Sequence, residues 1–128
     1  MLFAELTHRV LSRSMGESRH SRVEALHTLT LKVHESESGT TLEAEGELDL
    51  ACATLLESEL RQADERGSSI RLDLSGLRFI DSTGLRILLE ARDRSADDSH
   101  VLAIEGATGP VKDVIELTEL SDRILGES

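Results

Sequence analysis

Between residue 28 and the C-terminus, apolar and polar positions follow two periods in turn, and their succession predicts seven elements. Leu29, Leu31 and Val33 alternate with Thr30, Lys32 and His34, the pattern of a half-buried strand. Glu35 to Thr40 is a polar hairpin turn. Leu42, Ala44, Gly46 and Leu48 then alternate with Thr41, Glu43, Glu45 and Glu47, giving a second strand with an acidic outer face. At Asp49, a candidate N-cap, the period becomes helical, and Cys52, Leu56, Leu60 and Ala63 form one stripe that Gly67 ends. Ile70, Leu72 and Leu74 mark a third strand. A second helix is predicted from Ser82 to about Ser95, with Leu85, Leu88 and Leu89 turned inward. Val101 to Ile104 reads as a fourth strand. Gly109-Pro110 opens a last helix whose stripe is Val111, Val114 and Ile115.

The order β-β-α-β-α-β-α predicts an α/β fold: a hairpin leading into βα units and a small mixed sheet. Parallel strands covered on both faces read as continuous apolar runs, whereas three of these four alternate. The helices are therefore expected mainly on one face of the sheet, the other being polar. Residues 28–128 are read as the folded domain and residues 1–27 as a flexible N-terminal extension. Ser12 to Arg22 is almost devoid of apolar side chains and is expected to be disordered. Phe3, Leu6 and Val10 recur at helical spacing, and Met15 is a candidate true start.

Charge separates the same two parts. The first 27 residues hold four Arg and three Glu, while the remainder carries ten basic and twenty-two acidic residues, for a total of −11. A nucleic-acid binder needs a basic footprint to displace counterions, so that class is excluded. With two Phe and no Tyr or Trp, base-stacking platforms are excluded too. A single cysteine, Cys52, rules out an internal disulfide framework and a cysteine zinc site. The five histidines show no metal-ligand spacing, so no metal is expected. No run approaches the ~18 apolar residues of a membrane span. The chain is read as a cytoplasmic domain whose partners are proteins, with no membrane association.

The unusual segment is Leu77-Arg78-Phe79-Ile80-Asp81-Ser82-Thr83-Gly84-Leu85-Arg86, which sets Asp-Ser-Thr-Gly at a strand-to-helix junction. Three readings compete there. Ser82 or Thr83 caps the helix, with Gly84 allowing close approach to the sheet. Alternatively, the helix start binds an anion, which the adjacent Asp81 opposes. Or Ser82 accepts a covalent phosphate, adding about −1.5 to −2 charges. Ser82 lacks the Gly-x-Ser-x-Gly elbow of a serine hydrolase, and no phosphate-binding loop is present. No enzymatic activity and no cofactor are expected, so ATP must come from a partner.

Gly46-Glu47-Leu48-Asp49 and Phe79-Ile80-Asp81-Ser82-Thr83-Gly84-Leu85 resemble the two signature segments of STAS domains, and in particular those of bacterial anti-sigma factor antagonists. Pro110 to Thr118 is similar to the family's last helix, and the resemblance spans about residues 28–125. It implies a STAS-like fold and a phosphorylation-controlled partner switch. The unmodified antagonist binds an anti-sigma factor that is itself a serine kinase, and so frees a sigma factor. Phosphorylation of Ser82, with Thr83 as secondary site, releases the antagonist, and a PP2C-type phosphatase restores it. Asp49, Asp81, Ser82, Thr83, Gly84 and Arg86 are the partner-binding residues that the resemblance implies. Arg86 stands where many phosphorylated members carry a second Gly, and Glu119 where a Gly commonly precedes the final Leu. The alternative is a non-phosphorylated STAS scaffold, a subunit of a stress-sensing or lipid-transport complex.

Overall fold

A computed structural model describes residues 20–98, 101–118 and 124. Its elements run β1 (His20–Leu26), β2 (Leu29–Ser36), β3 (Gly39–Leu48), α1 (Ala53–Glu65), β4 (Ile70–Ile80), α2 (Ser82–Asp98), β5 (Leu102–Glu105) and α3 (Gly109–Leu117). The five strands form one sheet in sequence order. β1, β2 and β3 pair antiparallel, as short turns permit, and β3, β4 and β5 pair parallel across the helical crossovers.

Alternation decides which face is buried. Leu29, Leu31, Val33, Leu42, Ala44, Leu48, Ile70, Leu72, Leu74, Leu102 and Ile104 project into one core with Cys52, Leu56, Leu60, Ala63, Ile87, Leu88, Ala91, Val111 and Ile115 of the helical segments. The opposite face is mostly polar, as Thr41, Glu43, Glu45 and Glu47 foretell, with Val23 and Phe79 exposed on it. Along α2 the fully buried positions are Ile87, Leu88 and Ala91, while Leu85 and Leu89 are half-buried against the core. α1 closes as expected: the Gly67 and Ser68 N–H groups bond back to the Asp64 and Ala63 carbonyls at 2.9 and 3.0 Å.

The domain boundary differs from the sequence reading. Residues 20–26, assigned there to the flexible extension, form edge strand β1, registered on β2 from His20↔Glu35 to Leu26↔Leu29. The inward positions of β1 include Arg22 and Glu24, with Leu26 the one apolar residue among them packed against the core, so the alternation is hidden. Arg22 is held by Glu24 at 2.9 Å, by Glu35 at 3.0 Å and by Glu59 of α1. Burial opposes its charge, but the Glu59, Glu35 and Glu24 carboxylates outweigh that, and its pKa lies above the ordinary arginine value. An inward charge also guards an edge strand against pairing with other chains. The expected helix of Phe3, Leu6 and Val10, the candidate start Met15, and Glu119 lie outside the described residues.

β4 is longer than its period-two stretch. After Leu74 the buried positions fall at Leu77 and Ile80, because the β3–β4 register shifts between Glu43 and Glu45 and again between Gly46 and Glu47. Gly46 adopts φ +103° and lies so close to Thr28 that a Cβ would come 2.0 Å from its carbonyl oxygen.

Candidate functional site

The loops after β3 and β4 meet at one end of the sheet through a single carboxylate. Asp81 Oδ1 accepts the Gly84 N–H at 3.0 Å, and Oδ2 accepts the Leu50 N–H at 3.1 Å. The Asp81 carbonyl takes the Leu85 N–H at 3.0 Å, and its own N–H donates to the Leu48 carbonyl at 3.2 Å. Asp81 therefore caps α2, filling the role that the capping reading gave to Ser82 or Thr83. Ser82 is exposed, and among the described residues its hydroxyl has no hydrogen-bond partner. Thr83 is half-buried beside it.

Asp49 does not cap α1, which was the sequence expectation. The N-cap position is Cys52, without a side-chain cap bond. Asp49 instead builds the preceding turn: Oδ1 accepts the Ala51 N–H at 3.1 Å and the Cys52 thiol at 3.3 Å, and its carbonyl accepts the Ala53 N–H at 2.8 Å. Cys52 is fully buried, and burial, reinforced by the Asp49 carboxylate, raises its thiol pKa above the ordinary value.

Gly84 locks the two loops together. A Cβ there would lie 2.8 Å from Ile80 Cγ1 and 2.9 Å from both Leu48 Cγ and the Leu48 carbonyl oxygen. The structure thus brings Asp49, Asp81, Ser82, Thr83 and Gly84 to one end of the domain. Arg86 sits one turn further along α2, exposed and bound to Glu90 at 3.1 Å.

The sequence reading did not single out two apolar neighbours of this end. Leu50, beside Asp49, is 74% exposed, and Phe79, two residues before Asp81, is 46% exposed. Phe79 pairs with Glu47 across the shifted register, which turns it to the helix-free face, and Arg78 approaches Glu47 at 3.8 Å. The available signal was compositional: Phe79 is one of only two aromatic residues in the chain.

The arrangement leaves an exposed hydroxyl next in sequence to a fixed carboxylate, with no histidine in either loop to act as base. Among the described residues no His, Cys, Asp and Glu side chains gather as a metal site would. A cleft of about 560 Å³ lies at the opposite end of the sheet, over Ser21, His34, Thr41 and Arg71, away from Ser82. No helix among the described residues is long and apolar enough to cross a membrane.

Residues 31–126 match the family described as "Mlab, STAS domain". The chain belongs to the STAS domain family. The STAS fold extends to solved structures of low sequence identity. An anti-sigma factor antagonist from Mycobacterium paratuberculosis superposes with a TM-score of 0.58 at 22% identity, over 85% of each chain. The Bacillus cell fate determinant SpoIIAA, in its phosphorylated form, gives 0.56 at 16% identity, over 79% of this chain and 85% of that one. The murine Solute Carrier 26 family member A9 anion transporter gives 0.60 at 14% identity, over 97% of this chain but 22% of that one. No protein of curated function matches this STAS domain. The family match begins inside β2, so β1 with its Arg22 anchor lies outside it.

Proposed function

We propose that this STAS domain is a cytoplasmic bacterial anti-sigma factor antagonist whose Ser82 end docks an anti-sigma factor serine kinase. Binding of the unmodified domain draws the kinase away from its sigma factor. The kinase then transfers the γ-phosphoryl group of ATP to Ser82: the Oγ–P bond forms, the bond to ADP breaks, and the hydroxyl proton leaves to the kinase or to solvent. Phosphoserine releases the kinase, and hydrolysis by a PP2C-type phosphatase returns the hydroxyl and inorganic phosphate. Thr83 is the secondary acceptor, and Asp49, Asp81, Gly84 and Arg86 shape the docking face.

One observation carries this reading: Asp81 caps α2, which leaves the Ser82 hydroxyl exposed and without a partner. Leu50 and Phe79, exposed in the loop after β3 and near the end of β4, supply apolar surface of the kind a protein interface uses. Two added charges within such a desolvated contact weaken it unless the partner supplies a matching cation. The alternative is a non-phosphorylated STAS scaffold, a subunit of a stress-sensing or lipid-transport complex, in which the exposed Ser82 hydroxyl stays unmodified. Incubation with the anti-sigma factor kinase encoded nearest the gene and ATP, followed by peptide mass mapping, separates the two. The switch predicts one phosphate on Ser82 or Thr83, and the scaffold predicts none.

A further inference from the structure

Arg86 follows Ser82 by four residues on α2, the spacing at which two helical side chains become surface neighbours. Its guanidinium is bound to the Glu90 carboxylate at 3.1 and 3.3 Å. Both sides of that pair are open to solvent, 56% and 42% exposed, so it holds Arg86 weakly. It also sets the cation before the anion along the helix, the less favourable order for a pair four residues apart. A phosphate on Ser82 reverses that order. It brings about −1.5 to −2 charges and three acceptor oxygens that suit the planar fork of an arginine.

We propose that Arg86 is the phosphate-binding residue of the modified domain: once Ser82 is phosphorylated, the Arg86 guanidinium leaves Glu90 and clamps the phosphate across one turn of α2. The inference rests on Ser82 being the phosphoacceptor.

The surrounding charges leave the role to Arg86. Asp81 and Asp49 are anionic, and their oxygens already accept N–H groups of Leu50, Gly84 and Ala51. Arg78 faces Glu47 on the strands. Glu90 is the competitor on α2 itself. In a chain of net charge −11 the phosphate finds its counter-ion one turn away. The exchange alters the docking face at two places from one modification: Arg86 is drawn to the phosphate, and Glu90 is left unpaired.

Phosphoserine placed at position 82 of the full chain by codon suppression tests the clamp without any kinase. The readout is the pH titration of its phosphorus resonance. In the otherwise unchanged protein the midpoint should lie about 0.5 pH below that of the Arg86→Ala protein, because a nearby cation favours the dianion. Arg86→Lys should recover part of the shift as a point charge, and Glu90→Gln should not raise the midpoint. Arg86 is exposed and alanine is the best helix former, so Arg86→Ala is expected to fold; Arg86→Gln provides a second neutral variant. Equal midpoints with and without Arg86 would overturn the clamp while leaving phosphorylation of Ser82 intact. A kinase that never modifies Ser82 would instead remove the switch and leave the clamp measurable.

Discussion

The Asp81 carboxylate accepts the Leu50 N–H at 3.1 Å and so ties the loop after β3 to the loop after β4. Its other oxygen caps α2 through Gly84, which means that one side chain both joins the loops and releases Ser82 from structural duty. Ser82→Ala should therefore change stability by less than about 0.5 kcal/mol. Asp81→Ala should cost about 1–2 kcal/mol through loss of the cap. Urea unfolding of both variants measures the difference, and equal losses would return the capping role to Ser82.

Gly84→Ala should be costly although it replaces one small residue by another. The new methyl group meets Ile80, Leu48 and the Leu48 carbonyl oxygen at 2.8–2.9 Å, and backbone on that side cannot yield as a flexible side chain would. A loss of about 1–3 kcal/mol is expected in urea unfolding. Unchanged stability would mean that the helix and strand end are not in this close contact.

Arg22→Ala should cost about 3–5 kcal/mol, because it takes the cation from the buried Glu59 carboxylate and from Glu24, while Glu35 keeps Arg66 at 3.1 Å. Both Arg22 and Glu59 side chains are 6% exposed, so water offers little compensation. Amide hydrogen exchange should quicken first along the β1–β2 pairing. If the amides of β1 keep their protection, Arg22 is not the anchor of that strand.

Cys52 should resist thiol reagents at pH 8 in the folded protein. It is buried, and burial with the nearby Asp49 carboxylate favours the neutral thiol over the reactive thiolate. Labelling should run more than about tenfold slower than in urea. Fast native labelling would show that the loop after β3 opens readily.

The sequence revealed those elements whose inward positions are apolar. β2, β3, the first half of β4 and the stripe of α1 follow their periods because Leu, Val, Ile and Ala fill one face. β1 escaped because Arg22 and Glu24 interrupt its inward side before Leu26, and the partner that makes Arg22 tolerable, Glu59, lies 37 residues away. The second half of β4 escaped because two register shifts break the period of two near Gly46. At the site, Asp81-Ser82-Thr83 offers three adjacent residues able to cap, and local pattern cannot rank them. Only the approach of Leu50 and Gly84 to one carboxylate selects Asp81. The exposure of Leu50 and Phe79 is likewise a property of loop geometry, since apolar residues beside a strand end are ordinarily read as core.

The phosphorylation state of Ser82 is expected to set affinity for the kinase, and calorimetry of that binding decides it. Unmodified protein and Ser82→Ala should bind the anti-sigma factor kinase alike. Protein carrying phosphoserine at position 82 should bind at least tenfold more weakly, a change of about 1.4 kcal/mol or more. Equal affinity of the phosphorylated and unmodified forms would show that Ser82 is not a switch.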